Sequence, residues 1–381
     1  MNISLRWLLL LCLLNLCLVR LGAVPAGAEP PAAGANSPNP DKAAGQTALI
    51  PQNLLRLVHA PEVHRELGWS SDQVAQLEQF FQQHDGTWFR SRILPAEQQR
   101  KIVAELEGRL RQALAKWASP GQRQRLQQLE YQSQGVRMLL RPDVGERLGL
   151  AAEQREQPLS LARATQAAAD ALQTASLKGE AIDELQSAVA AAAQAEQAAV
   201  SGLLKPEQQQ TLSELLGKPF DTAQLQRIYP MAPELVPVQH WINGPPLQLK
   251  ALRGKVVILH FYAFQCHNCH ANFGHYNRWH RELPSDQVVV IGIQTPETSR
   301  ERDPAAVTAA AKEQEFQYPV LIDLESKNWQ AWANTMWPTV YVIDQHGYLR
   351  FWWQGELNWQ GATHDQKIEQ VIEQLLSESD A

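Results

Sequence analysis

Two cysteines separated by two residues, Cys266 and Cys269, follow directly on a continuous apolar run over residues 256–263. An unbroken apolar run of that length, rich in β-branched and aromatic residues, reads as a strand buried on both faces. A helix is expected after it, because Cys269, Phe273, Tyr276, His280 and Leu283 fall on one face at helical spacing. The order strand, Cys-x-x-Cys, helix puts the first cysteine at a helix N-terminus. Unsatisfied N–H groups and the positive end of the helix dipole stabilise a thiolate there. The thiolate is the form that attacks a disulfide, and a second thiol one turn on can reach the mixed disulfide that results. A disulfide closing so short a loop adds little chain-entropy stabilisation, so the pair points to redox chemistry rather than scaffolding.

The other two cysteines, Cys12 and Cys17, lie near the N-terminus. There Arg6 precedes an apolar run of 13 residues, 7–19, and Ala26-Gly27-Ala28 follows. A bilayer span needs about 20 residues. The pattern is that of a secretory signal peptide, residues 1–28, with an A-x-A cleavage site. The mature chain is then exported, to the periplasm or the extracellular space, with an uncleaved membrane anchor as the competing reading. Export permits disulfides, yet the mature chain keeps only the Cys266–Cys269 pair. With 34 basic and 40 acidic residues the net charge is −6, which leaves no basic excess to neutralise phosphate and argues against a nucleic-acid partner. At 44% hydrophobic content a wholly disordered chain is excluded.

Residues 29–49 are rich in Pro, Ala and Gly and read as a flexible tether. Residues 50–218 carry helical periodicity, for example Val74, Leu77, Phe80 and Phe81 on one face, and Ile102, Leu106, Leu110, Leu114 and Trp117 on another. An internal duplication is suggested by two pairs of segments. Pro61-Glu62-Val63 with Glu66-Leu67-Gly68 and Gln73 parallels Pro142-Asp143-Val144 with Arg147-Leu148-Gly149 and Gln154. Ser119-Pro120-Gly121-Gln122 parallels Lys205-Pro206-Glu207-Gln208. Independent helix caps of similar chemistry explain the same pattern, and both readings stay open. Two copies would form a helical bundle, a candidate docking element for an envelope partner. Residues 219–235, with Pro219, Pro230 and Pro233, read as a linker. From 236 to 381 strand and helix signals alternate. Strands are expected at 256–263, 288–293 and Val320–Ile322, and a hairpin is formed by Thr339–Ile343 and 349–353. Asp303-Pro304 opens one helix and Thr363 caps a last one. The fold class is therefore a helical bundle followed by an α/β domain with a mixed sheet.

Several ordered motifs of this second half resemble the TlpA/DipZ-type thioredoxin-like redoxins of the AhpC/TSA superfamily. They are His240-Trp241-Ile242-Asn243, Leu252-Arg253-Gly254-Lys255, Phe261-Tyr262-Ala263-Phe264-Gln265-Cys266-His267-Asn268-Cys269, Gly292-Ile293-Gln294-Thr295-Pro296-Glu297, Glu301-Arg302-Asp303-Pro304, Tyr318-Pro319-Val320 and Trp337-Pro338-Thr339-Val340. The resemblance implies a thioredoxin-like fold and a thiol–disulfide oxidoreductase acting on protein disulfides. Cys266 attacks and Cys269 resolves. Pro338 is cis and, with Trp337 and Thr339, shapes the substrate groove. It also implies protein disulfide or dithiol substrates and, if the protein is reductive, an external membrane thiol donor of electrons, since the chain carries no nucleotide fingerprint and calls for no cofactor.

Two positions depart from the family pattern. His260, six residues before the first cysteine, stands where these families often carry a carboxylate or amide. One reading makes it the acceptor of the Cys269 proton, directly or through water; the other makes it a packed core histidine bonded to backbone. Gln265 stands where thioredoxins usually carry Trp, and His267 lies between the cysteines, where a cationic imidazole would favour the thiolate. Both are candidate substrate-binding residues. Three rival readings remain. Cys266-His267-Asn268-Cys269-His270 satisfies the c-type haem pattern. The two thiols with His267, His270, His275 and His280 offer ligands for copper or zinc. A peroxidase is the third, although no Pro-x-x-x-Thr-x-x-Cys sequence precedes Cys266.

Overall fold

The computed structural model describes residues 48–178, 181–221, 225 and 228–378. The expected signal peptide, Cys12, Cys17 and all of the tether up to residue 47 lie outside the described residues. The chain divides into two compact units that are not consecutive in sequence. One combines residues up to Gln73 with Val103–Arg227, and the other joins Val74–Ile102 to Ile228–Ala381.

The first unit is all helical. Its core gathers Tyr131, Val136, Met138, Leu139, Val144, Leu148, Leu150, Leu204, Leu212 and Leu215. One hydrogen-bonded arrangement occurs in it at two places. The helix Pro61–Leu67 ends at Gly68 in the left-handed region, φ 60°, a conformation that costs glycine nothing. Gln73 and Gln122 pair amide to amide at 3.0 and 3.1 Å, and Gln122 Nε2 also reaches the carbonyls of Leu67 and Gly68. In the second place Gly149 has φ 57°, Gln154 and Gln208 pair at 2.9 and 3.1 Å, and Gln208 Nε2 reaches the carbonyls of Leu148 and Gly149. These are the residues of the paired motifs seen in the sequence. Elsewhere in this unit Glu130, 2% exposed, takes Arg111 at 2.8 Å and Arg141 at 3.2 Å. With Glu107, Gln134 and Asp143 these side chains line a cavity of about 240 Å³.

The second unit is built on a six-stranded sheet in the order β1-β4-β3-β2-β5-β6. The strands are β1 Trp241–Ile242, β2 Val256–Tyr262, β3 Val288–Gln294, β4 Val320–Ile322, β5 Thr339–Ile343 and β6 Leu349–Gln354. β2, β3 and β4 run parallel, while β1, β5 and β6 are antiparallel to their neighbours. β2 is buried along its whole length, as its unbroken apolar sequence requires, and period-two alternation sends its side chains to two different cores. Val256, Ile258 and Tyr262 join Cys269, Phe273, Tyr276 and Trp279 of the helix His267–Glu282 on one face. Val257, Leu259 and Phe261 join Leu235, Leu249, Trp332, Tyr341 and Phe89 on the other.

Phe89 belongs to the helix Ser71–Ser91, which the sequence placed with the helical half. Its last turns carry a second set of contacts. Asp85, 1% exposed, accepts the Met231 amide at 2.8 Å. Arg90 donates to the Ala331 carbonyl at 3.0 Å, and the Arg92 guanidinium lies over both Phe89 and Trp352. Trp352 and Trp353, adjacent in β6, divide between the two faces: Trp352 packs on the Phe89 side, and Trp353 packs on the cysteine side with its ring stacked on His364. The stretch expected as a linker is likewise tied in, since Met231 bridges Tyr348 and Glu234 accepts the amides of Leu249 and Lys250. Among the described residues no helix is long and apolar enough to cross a membrane.

Candidate redox site

Cys266 is the N-cap of the helix His267–Glu282, with extended backbone at φ −74° and ψ 114°. The chain arrives there from the end of β2, and Cys266 N–H bonds back to the Ala263 carbonyl at 3.2 Å. Cys266 is half-buried and Cys269 fully buried, and both are free thiols. The Cys269 thiol hydrogen-bonds to Cys266; this bond, with help from the Cys269 and Asn268 amides, holds the Cys266 thiol below its ordinary value against the opposing effect of burial. Burial first, and then the bond to Cys266, push the Cys269 thiol far up. The two sulfurs are therefore unequal. Ionisation is eased at the accessible sulfur and opposed at the sheltered one.

The antiparallel register pairs Phe261 of β2 with Thr339 of β5. The loop entering β5 thus sits at the same end of the sheet as the cysteines. The Trp337–Pro338 peptide bond in that loop is cis. Trp337 packs against the core that holds Cys269 and stacks on Trp329 with ring centroids 4.0 Å apart. Thr339 is buried, with its hydroxyl donated to the Met336 carbonyl at 2.8 Å. Gln265 and His267, the flanking substrate-binding candidates, are exposed.

His260 lies beneath this surface, wholly buried in β2. Its ring stacks on Tyr276 at 3.9 Å and on Tyr262 at 5.3 Å, with Tyr318 edge-on at 5.4 Å. Space for the imidazole comes from its register partner Gly292, where a Cβ would lie 3.1 Å from His260 Nε2. Neither ring nitrogen hydrogen-bonds to a described residue, so the backbone-bonded core histidine considered from the sequence is not what forms. Burial lowers its pKa to about 3, so the imidazole is neutral and binds protons poorly. That works against His260 as the store for the Cys269 proton. The buried hydroxyls that sense Cys269 are those of Tyr262 and Tyr276, both raised by burial first and then by the sulfur.

Two carboxylates belong to the site that residue spacing did not single out. Glu301, 0% exposed, accepts the Gln265 amide at 2.7 Å and the Glu297 and Thr298 amides at 2.6 and 2.9 Å. Both residues were visible only as parts of motifs in the stretch after β3, and nothing in their spacing marked a buried acid bound to the residue before Cys266. Of the histidines near the thiols, His270 meets the Phe264 carbonyl through Nε2 and His275 meets Asn358 through Nε2. Among the described residues no group of three or more His, Cys, Asp or Glu side chains is arranged to hold a metal ion.

A mixed sheet, a cysteine pair opening a helix at the end of its central strand, and a cis-proline loop at the same end define a thioredoxin-like domain. Residues 234–352 match the AhpC/TSA family, and the C-terminal region is a redoxin domain of that family. It is 36% identical over 122 residues to Protein DipZ of Mycobacterium tuberculosis, covering 31% of this chain and 18% of that protein. It is 28% identical over 123 residues to the thiol-disulfide oxidoreductase YkuV of Bacillus subtilis, covering 32% and 82% respectively. The chain thus spans less than a fifth of the DipZ length it matches. A solved thiol-disulfide isomerase of Corynebacterium glutamicum superposes with a TM-score of 0.34 at 24% identity, over 39% of this chain and 97% of that one. The N-terminal helical region is unassigned.

Proposed function

We propose that this protein is a thiol–disulfide oxidoreductase that exchanges protein disulfides outside the cytoplasm through Cys266 and Cys269. The observation that carries this reading is the inequality of the two sulfurs: a half-buried, lowered thiol at a helix N-terminus above a buried, raised one. In the reductive direction the Cys266 thiolate attacks a substrate disulfide. One substrate sulfur leaves as a thiolate, and a mixed disulfide remains on Cys266. Cys269 then attacks Cys266, its proton goes to the second departing thiolate, and the protein is left with a Cys266–Cys269 disulfide. A substrate disulfide is reduced by two electrons and the protein dithiol is oxidised by two. The reverse sequence forms disulfides.

Pro338, Trp337 and Thr339 supply the wall against which the substrate chain lies, and Gln265 and His267 meet it at the rim. His260 takes part as a neutral imidazole that fills the floor under Tyr262 and Tyr276. In a reductive role the pair needs a thiol donor at the membrane, and the helical unit is the candidate docking element for an envelope partner. Equilibration of the purified chain with glutathione or dithiothreitol, followed by thiol trapping, tests the reading. A reversible couple near about −270 mV assigns a reductase and one near about −120 mV an oxidant. The full chain with Cys269→Ser is expected to accumulate mixed disulfides with substrate proteins, and Cys266→Ser none. Absence of a reversible couple would sink the proposal.

A further inference from the structure

The residue before the attacking cysteine is anchored by an acid. Glu301 is fully buried, and a buried carboxylate is costly unless its oxygens are satisfied. Here they are: Oε1 accepts from the Gln265 amide, and Oε2 accepts from the amides of Glu297 and Thr298. Bonds from N–H groups to a carboxylate are charge-assisted and strong. The Thr298 hydroxyl adds a bond to the Gln265 side chain at 2.5 Å. One side chain therefore ties the loop after β3 to the loop before Cys266, and it brings residue 297 within a carboxylate's width of residue 265. The Glu297 side chain is exposed, and its negative charge opposes ionisation of both Cys266 and Cys269.

We propose that Glu297 sets the redox poise of the Cys266–Cys269 pair, and that Glu301 is the positioning residue that keeps it there. The proposal rests on the redox reading of the pair. A carboxylate on a residue tied through Glu301 to the neighbour of Cys266 destabilises the thiolate but leaves the uncharged disulfide untouched, so it makes the dithiol a better reductant. The other titratable groups around the pair do not duplicate this role. On the same helix His267 is exposed, His270 is bound to the Phe264 carbonyl, and Tyr276 stacks on His260. From β2 come His260, held neutral, and Tyr262, raised by burial. The cis-proline loop contributes Trp337, which carries no charge.

The test uses the full chain with Glu297→Gln, Glu301→Gln and both together. The readouts are the pH profile of Cys266 alkylation by iodoacetamide and the dithiol–disulfide equilibrium with glutathione at pH 8. Replacing Glu297 by Gln is expected to move the alkylation profile to lower pH and raise the rate at pH 6 by about threefold. The glutathione equilibrium should move toward the dithiol by a similar factor. Glu301→Gln turns an acceptor into an amide facing N–H donors, so it releases the loop and shifts both readouts the same way. In the double variant it adds nothing to Glu297→Gln, which a merely structural role would not produce. If the Glu301 variant fails to fold, Glu297→Gln decides alone. A wild type that cycles reversibly beside a Glu297→Gln variant with unchanged profile and equilibrium overturns this inference and leaves the redox reading standing. A wild type with no reversible couple overturns the redox reading itself.

Discussion

The helix segment 74–102 is expected to stabilise the redox unit, and Phe89→Ala measures by how much. Phe89 is 6% exposed. Its ring meets Tyr341 edge-on at 5.9 Å, and the Arg92 guanidinium lies 3.5 Å from its centroid. Truncating a buried Phe to Ala costs about 3–5 kcal/mol, the spread reflecting how well the site collapses. The Arg92 stem can settle into the gap here, so the lower end applies, about 3 kcal/mol. For a unit of this size that corresponds to a fall in melting temperature of about 6–12 °C. The assay is denaturant unfolding followed through tryptophan fluorescence, with Trp329, Trp332 and Trp352 all in the core that Phe89 joins. The loss should appear in the transition that unfolds the sheet, with an unchanged denaturant slope. A loss confined to the helical transition, or below about 1 kcal/mol, would refute the assignment of this segment to the redox unit.

Two further outcomes follow from buried titratable groups. Glu107, pushed up to about 7 by burial and by the nearby Glu130, binds its proton more tightly in the folded than in the unfolded chain. The helical unit should therefore be most stable below about pH 4.5 with respect to this group and lose up to about 3 kcal/mol as pH rises through 7. Urea titrations of wild type and Glu107→Gln at pH 5 and pH 8 check this, and the variant should be the more stable only at pH 8. His260, lowered to about 3, has the opposite sign. Its contribution is fully present above about pH 6.5 and is lost as pH falls toward 3, and His260→Leu should flatten that acid limb. In the same variant, rapid-quench resolution of a preformed mixed disulfide should keep its wild-type pH profile; a hundredfold slower step in a folded variant would restore His260 as the proton acceptor.

The site was legible where local chemistry fixes it. Residues 256–263 could only be a doubly buried strand, and the cysteine spacing fixed which sulfur caps the helix. The edges Val320–Ile322 and Thr339–Ile343 were read to the residue because turn signals flank short apolar runs. Sequence could not show which residues lie against that strand. The helix Ser71–Ser91 reads as an ordinary amphipathic helix from Leu77, Phe80 and Phe81; its later residues Asp85, Phe89 and Arg90 are the ones that bond or pack against the residues around the sheet. The two-residue strand Trp241–Ile242 has too few positions to show a period, and pairing with Leu321 and Val320 alone makes it a strand. Glu301 is an acidic residue among charged neighbours, and its burial comes from three amides that converge on it in space.

The fate of the Cys269 proton follows from what surrounds the sulfur. Within the core no neighbour is a better base than the thiol's own environment demands. The His260 imidazole is too weakly basic, the Tyr262 and Tyr276 hydroxyls are themselves raised well above their ordinary value, and both Glu301 oxygens are occupied by amides. Glu297 is exposed to solvent, outside that core. On the proposed redox reading, the base that takes this proton is the substrate sulfur itself, which leaves as a thiolate when Cys269 attacks. Attack and proton delivery are thus coupled at the mouth of the site. In the proposed exchange, Cys269 stays a thiol while Cys266 is free and becomes a nucleophile only once a mixed disulfide supplies the leaving group. An interior lined with aromatic rings, raising one thiol while its bond to the other lowers the second, makes the order of the two steps a property of the fold.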